Sequence, residues 1–242
     1  MTVLIMQPDP ISPATRISHW LDEAERMYDV INLPALVDRN QHNVEDGPIS
    51  TKQLDSISGI VICGGRMNCY SEDENPWVPP VMKLLKGAVD KGLPVLGICF
   101  GHQLLNRTMG GHIEVGSLAH KEDGVVTVEV TDEGKADDWF GGVQDLAPLT
   151  VYESHSDYVA ELPPEGVLLA HSDRCPVEAV RIKSALGVQF HPEVSPEEFR
   201  EWARVQDGED AAEPAYKAAK SADDKAKQIG AYVVKEFISR LG

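Results

Sequence analysis

No two cysteines in this chain stand in a C-x-x-C spacing, and the four present, Cys63, Cys69, Cys99 and Cys175, are few for 242 residues. That excludes a zinc ribbon, a thioredoxin motif and a small disulfide-stapled scaffold, and it implies thiols in a reducing compartment. Basic residues are scarce as well. Twenty-two Lys and Arg against 39 Asp and Glu leave a formal net charge of −17. So acidic a surface argues against binding nucleic-acid phosphates or an anionic membrane. No apolar run is long enough to span a bilayer, and residues 1–6 lack the basic start of a signal peptide. A cytoplasmic location is the expectation. There is no Walker loop, no G-x-G-x-x-G, no internal repeat and no low-complexity tract. His19, His42, His112, His120 and His171 stand in no metal-ligand spacing. Neither a cofactor nor a metal is expected.

What is present is an alternation of strand-like and helix-like stretches. Residues 3–6, 30–33, 57–63 and 94–98 read as buried strands. Residues 13–27 and 77–91 read as helices, the second with Val78, Met82, Leu85 and Val89 at helical period. Such alternation implies parallel strand pairing with helices on both faces. From Gly111 onward the strands follow one another directly, at 125–130, 151–154, 167–170, 178–182 and 186–190, separated by Gly, Pro and Asp turns. They are expected to extend the sheet around one core. Residues 206–214 are acidic, contain Gly208 and Pro214, and read as an exposed loop. A C-terminal helix over 215–241 follows, with Ala222, Ala226, Ile229, Val233 and Phe237 on one stripe. The expectation is a single α/β domain over 1–242: three layers, a mostly parallel central sheet, and an active site at the carboxyl ends of the strands.

The chemistry concentrates at two points. Residues 93–105 run as a short apolar strand into Gly97-Ile98-Cys99-Phe100-Gly101, followed by a helix-like segment. This is the layout of a nucleophile elbow with cysteine in the reactive position. Cys99 would then sit at the positive end of a helix dipole, which favours an exposed thiolate. Gly97 and Gly101 fit because an elbow leaves no room for Cβ atoms. A buried structural cysteine at a strand end is the plain alternative. Farther on, His191-Pro192-Glu193 follows another apolar strand. Pro192 favours extended chain at His191. Residues two apart in extended chain point the same way, so Glu193 can orient the imidazole. Cysteine, histidine and carboxylate together specify nucleophilic acyl chemistry. His102, just past the elbow, lies on the wrong side of Phe100 to serve as base.

Gly-Ile-Cys-Phe-Gly-His-Gln, with Gln189-Phe190-His191-Pro192-Glu193 after it, resembles the class I (triad) glutamine amidotransferases over nearly the whole chain. The resemblance implies their flavodoxin-like fold. It also implies a reaction in which Cys99 attacks the side-chain amide of glutamine, a glutamyl thioester forms, ammonia leaves and water releases glutamate. Ile60-Val61-Ile62-Cys63-Gly64-Gly65 stands where the family has a strand ending in a glycine pair. The implied oxyanion donors are the N–H groups of Gly65 and Phe100, although Arg66 replaces the family's usual proline. Gln103 matches a residue lining the glutamine site. Ser154-His155-Ser156-Asp157 resembles the Ser-His-Gly-Asp of the amidotransferase domain of guanosine monophosphate synthetase, which holds the α-amino and α-carboxylate groups of glutamine. Ser156 in place of glycine would reshape that pocket. A polar turn capped by Asp157 explains the same four residues equally well.

Three functions remain open on these residues. One is glutamine hydrolysis that supplies ammonia to a separate synthase subunit or to a small-molecule acceptor. A second is hydrolysis of γ-glutamyl compounds by the same triad, as in the similar plant γ-glutamyl peptidases. Pocket size beside Cys99 would separate these, with Arg66 and Glu72-Asp73-Glu74 placed to shape it. The third is a non-catalytic binding or regulatory domain. It ranks last because all three triad residues are retained.

Overall fold

The structure, a computed structural model, describes residues 1–37 and 50–242. His42 lies outside the described residues. The elements run β1 (Thr2–Gln7), α1 (Thr15–Glu23), β2 (Tyr28–Asn32), α2 (Pro34–Val37), β3 (Ile57–Ile62), α3 (Val78–Asp90), β4 (Val95–Ile98), α4 (Phe100–Thr108), β5 (His112–Glu114) and β6 (Glu122–Val130). They continue α5 (Asp132–Ala136), β7 (Leu149–His155), β8 (Tyr158–Glu161), β9 (Gly166–His171), β10 (Ala179–Ile182), β11 (Ala185–Val188), α6 (Pro196–Asp207) and α7 (Glu209–Ser239).

Nine strands form one mixed sheet in the order β2-β1-β3-β4-β11-β10-β9-β6-β7. The first five are parallel and the last four antiparallel. The expected parallel character therefore holds for the half that carries the elbow. Of the strands after Gly111, β11 pairs in parallel with β4, and β10, β9, β6 and β7 extend the sheet antiparallel, whereas β5 and β8 form a separate two-stranded sheet. β3, β4 and β11 are buried along their whole length, as strands covered on both faces must be. Alternate residues of β1 serve opposite cores. Val3 and Ile5 pack with Trp20 of α1 and Val233 and Phe237 of α7, whereas Leu4 and Met6 pack with α3 and α4 through Leu84, Leu85 and Leu104. That period-2 division gives the three layers.

Two local expectations are corrected. The helix expected over 13–27 stops at Glu23, because the chain must reverse to enter β2 at Tyr28; Glu25 takes φ +54° in the turn. The acidic stretch 206–214 is exposed for most of its length but is not a loop. Gln206 and Asp207 end α6, Gly208 makes the turn at φ +94°, and α7 starts at Glu209. Glu209 and Asp210 sit in the first turn of α7, where acidic side chains favour the helix dipole. Helix α6 itself opens on Ser195-Pro196-Glu197-Glu198, a capping box with proline at the start.

Among the described residues, no helix is long and apolar enough to cross a membrane.

Candidate functional site

Chain segments leaving the carboxyl ends of β1, β3, β4 and β11 meet at one rim of the sheet. They carry Asp9, Gly65, Cys99 and His191 respectively. This is where open α/β sheets place ligands.

Cys99 stands between β4 and α4 with φ +49° and ψ −105°, a strained conformation for a residue with a side chain. Its N–H donates to the Val188 carbonyl at 2.9 Å, which ties the turn to β11. The flanking glycines are required by close backbone approach. A Cβ on Gly101 would lie 2.2 Å from the Ile62 carbonyl oxygen, and one on Gly97 2.6 Å from that of Gly101. The elbow expected from the sequence is therefore present. Contrary to expectation, Cys99 is not exposed on the surface; it is 5% accessible and reaches solvent through a cavity. Phe100 begins α4, so its N–H has no carbonyl one turn back to bond with. Its ring packs edge-on against Trp77 in the core.

His191 is held from three sides. Its Nδ1 lies 2.8 Å from Oε1 of Glu193, which is fully buried. Its N–H donates to the Tyr152 carbonyl of β7, and the Trp202 ring of α6 meets the imidazole edge-on at 4.6 Å. A Cβ on Gly64 would lie 2.8 Å from His191 Cε1 and 3.6 Å from Cys99 Cβ, so Gly64 occupies the narrow space between the two. Burial opposes a charge on His191. The Glu193 carboxylate and the Cys99 sulfur overcome it, raising the imidazole to about 10. His102 has no such partner. Burial, with the nearby His155, depresses it to about 3, so it stays neutral and outside this arrangement.

A cavity of about 240 Å³ opens over Cys99. Gly65, Gln103, Ser154, His155, Ser156 and Asp157 all contribute to its lining. Two of these side chains support the wall from behind. Gln103 Nε2 donates to the Asp157 carbonyl at 2.9 Å, and His155 Nδ1 donates to the same oxygen at 3.1 Å. Asp157 Oδ1 accepts from the Gly116 N–H at 2.8 Å. Arg66 does line the cavity, but its guanidinium is clamped to Asp9 at 2.7 and 3.1 Å. That pair fixes the path after Gly65 where the family's proline is missing. Glu72-Asp73-Glu74 is not part of the lining; Glu72 pairs instead with Arg107 at 2.5 Å.

Lys121 and Gln206 also line the cavity, and no sequence motif marks either of them. Nothing local distinguishes Lys121. Gln206 falls in the stretch that reads as an acidic loop, yet from the end of α6 its side chain lies 3.3 Å from Ser154 Oγ. Trp202 belongs to the same helix, whose capping box is legible in the sequence.

Behind the wall lies a buried polar cluster. His155 Nε2 is 3.4 Å from Glu122 Oε2 and 3.6 Å from Glu153 Oε2, with Glu178 and Cys175 alongside. Burial and neighbouring carboxylates push Glu153 and Glu178 above the usual carboxylate range.

The sequence model of the family described as glutamine amidotransferase class-I matches residues 26–204. The chain is 44% identical over 115 residues to a subunit of the glutamine-hydrolysing GMP synthase of Pyrococcus furiosus, covering 47% of this chain and 57% of that protein. It is 32% identical over 183 residues to the corresponding GMP synthase subunit of Methanococcus maripaludis, covering 74% and 85%. It is also 38% identical over 149 residues to gamma-glutamyl peptidase 5 of Arabidopsis thaliana, covering 60% and 57%. The chain thus spans little more than half the length of the first and third of these relatives. The fold is that of a glutamine amidotransferase from Thermotoga maritima, at TM-score 0.81 and 21% identity over 98% of both chains.

Proposed function

Because the chain belongs to the glutamine amidotransferase class-I family, we propose that it hydrolyses the side-chain amide of glutamine through a thioester on Cys99, giving glutamate and ammonia for a separate acceptor. The observation that carries this reading is the alignment of cavity, Cys99, His191 and buried Glu193 on one rim.

The Cys99 sulfur attacks the amide carbon, and the carbonyl electrons move onto oxygen. The N–H groups of Gly65 and Phe100 are the proposed donors to that oxyanion. As the intermediate collapses, the C–N bond breaks and His191 gives its proton to the leaving nitrogen, releasing ammonia. With sulfur in a neutral thioester, one of the two influences that hold His191 charged is gone. The imidazole then becomes a better base, takes a proton from water, and the resulting attack releases glutamate and frees Cys99. Lys121 and Asp157 supply opposite charges for the α-carboxylate and α-ammonium of the substrate. Ser154, Ser156, Gln103 and His155 shape the wall around them.

The similarity to a plant γ-glutamyl peptidase supports the second reading, hydrolysis of γ-glutamyl peptides by the same residues. The relatives named for GMP synthase support a partner synthase as ammonia acceptor. Four free thiols fit a cytoplasmic location.

The test compares wild type and Cys99→Ala on free glutamine and on a panel of γ-glutamyl dipeptides. Cys99-dependent ammonia release from glutamine is expected. Preference for the peptides transfers the assignment to the second reading. Silence on both, with no glutamyl thioester trapped on Cys99, leaves a binding domain.

A further inference from the structure

We propose that Glu122, His155, Cys175 and Glu178 form a structural site for a divalent cation of the zinc type behind the substrate wall. One ligand atom from each lies within 4.8 Å of the others, and all four residues are buried. Nitrogen, thiolate and carboxylate donors in one set of four favour zinc over the oxygen-seeking magnesium and calcium. Ligand atoms about 2.0–2.3 Å from a tetrahedral zinc lie about 3.3–3.8 Å apart, so the set would draw in by roughly 1 Å on binding.

The surrounding contacts bear on a metal site, and the Cys175 thiol, which donates to the Val177 carbonyl at 3.6 Å, would give up that proton on binding. His155 donates through Nδ1 to the Asp157 carbonyl at 3.1 Å, which leaves Nε2 facing the cluster as the ligating atom. Ser172 Oγ donates to Glu122 Oε1 at 2.8 Å and accepts the Cys175 N–H at 2.8 Å, so one hydroxyl positions two ligands. A separate observation also points to a cation. Glu153 is not one of the four and is fully buried; its Oε2 faces His155 Nε2 at 3.6 Å, and its carboxyl group lies against that of Glu178. The Glu178 carboxyl group in turn lies within hydrogen-bond reach of Glu122 and Ser172, so the carboxyl groups of the cluster crowd one another. Three carboxyl groups buried around one imidazole must be neutralised either by protons or by a bound cation, and the cation is the proposal.

With four protein ligands, all of them buried, the site is closed and therefore structural. It joins the start of β6, the end of β7 and the β9–β10 turn. Lys121, Ser154, Ser156 and Asp157 of the cavity wall are chain neighbours of its ligands. A bound cation would hold that wall in place.

The full chain, expressed with zinc and purified without chelator, should carry about one zinc per chain by elemental analysis. Cys175→Ser and Glu178→Gln should lose it, and Ser172→Ala should weaken zinc binding about 10–100-fold. Cobalt added to chelator-stripped Cys99→Ala protein should give a thiolate-to-cobalt absorption band, absent once Cys175→Ser is added. The Cys99→Ala background removes the active-site thiol as a competing ligand. Should the Cys175 variant fail to fold, the zinc content and the cobalt band in Cys99→Ala decide alone. The proposal is overturned by wild-type protein without stoichiometric zinc and without a zinc-dependent rise in Tm. It is equally overturned if the metal is lost in Cys99→Ala or kept in Cys175→Ser. In those cases the carboxylates hold protons instead, or the metal sits at the elbow.

Discussion

The side-chain amide of Gln103, at the start of α4, donates to the backbone carbonyl of Asp157 at 2.9 Å beside the cavity. The same amide also reaches Gln189 Oε1 at 3.2 Å, just before His191. One side chain thus links the elbow helix, the cavity wall and the strand that leads to the histidine. Gln103→Ala should loosen the wall by about 1 kcal/mol, the net worth of such a bond, or roughly fivefold in KM for glutamine, with kcat changed less. Steady-state kinetics showing an unchanged KM and a collapsed kcat would assign Gln103 to the chemistry instead.

Cys99→Ala should lower glutamine hydrolysis by on the order of 10⁴-fold or more while leaving the fold intact by circular dichroism. His191→Ala should cost nearly as much. Glu193→Ala should cost less, because orienting an imidazole is secondary to transferring its proton. Equal and total loss in both folded variants would contradict that order.

Protonation of His191 sets the alkaline behaviour. Its value in the folded chain, about 10, lies above the ordinary 6.5. The charged ring therefore stabilises the fold fully below about pH 6.5, and that stabilisation is lost as pH rises through 10. Activity should persist to high pH and fall near the upper value as the leaving group loses its proton donor. Glu193→Gln and Cys99→Ala should each lower the imidazole value, read by NMR titration of the ring. A His191 that titrates near 6.5 in wild type would show that neither partner acts on it.

The elbow glycines should divide by what their missing side chains would strike. Gly101→Ala drives a methyl group against the backbone of β3 and should destabilise by roughly 1–3 kcal/mol or more in urea unfolding. Gly64→Ala meets the His191 ring, a side chain that can yield. It should keep most of its stability and lose activity. Reversal of the two phenotypes would displace Gly64 from its place between sulfur and imidazole.

Iodoacetamide should label Cys99 first. Cys63, Cys69 and Cys175 have no exposed surface, and burial pushes all three thiols up, Cys69 to about 12. Peptide mapping that finds faster labelling at any of the three would remove the case for a reactive elbow.

Features that depend on neighbouring residues are legible in the chain alone. Apolar runs at 57–63 and 94–98 read as buried strands because burial on both faces leaves no polar alternation. The elbow is legible because close backbone contacts demand Gly97 and Gly101, and the His191–Glu193 pair because extended chain puts alternate residues on one side. The capping box of α6 is equally local. The stretch 206–214 misleads because acidic residues, a glycine and a proline also suit a helix–turn–helix junction. Contacts between distant segments, by contrast, exist only once the chain has folded. Arg66 finds Asp9, Gln206 finds Ser154, and Lys121 joins the cavity through strand pairing that no spacing announces. Histidines without ligand spacing along the chain give no sign of a metal site. The fold nevertheless brings Glu122, His155, Cys175 and Glu178 together from three segments, because antiparallel strands set side by side residues far apart in sequence.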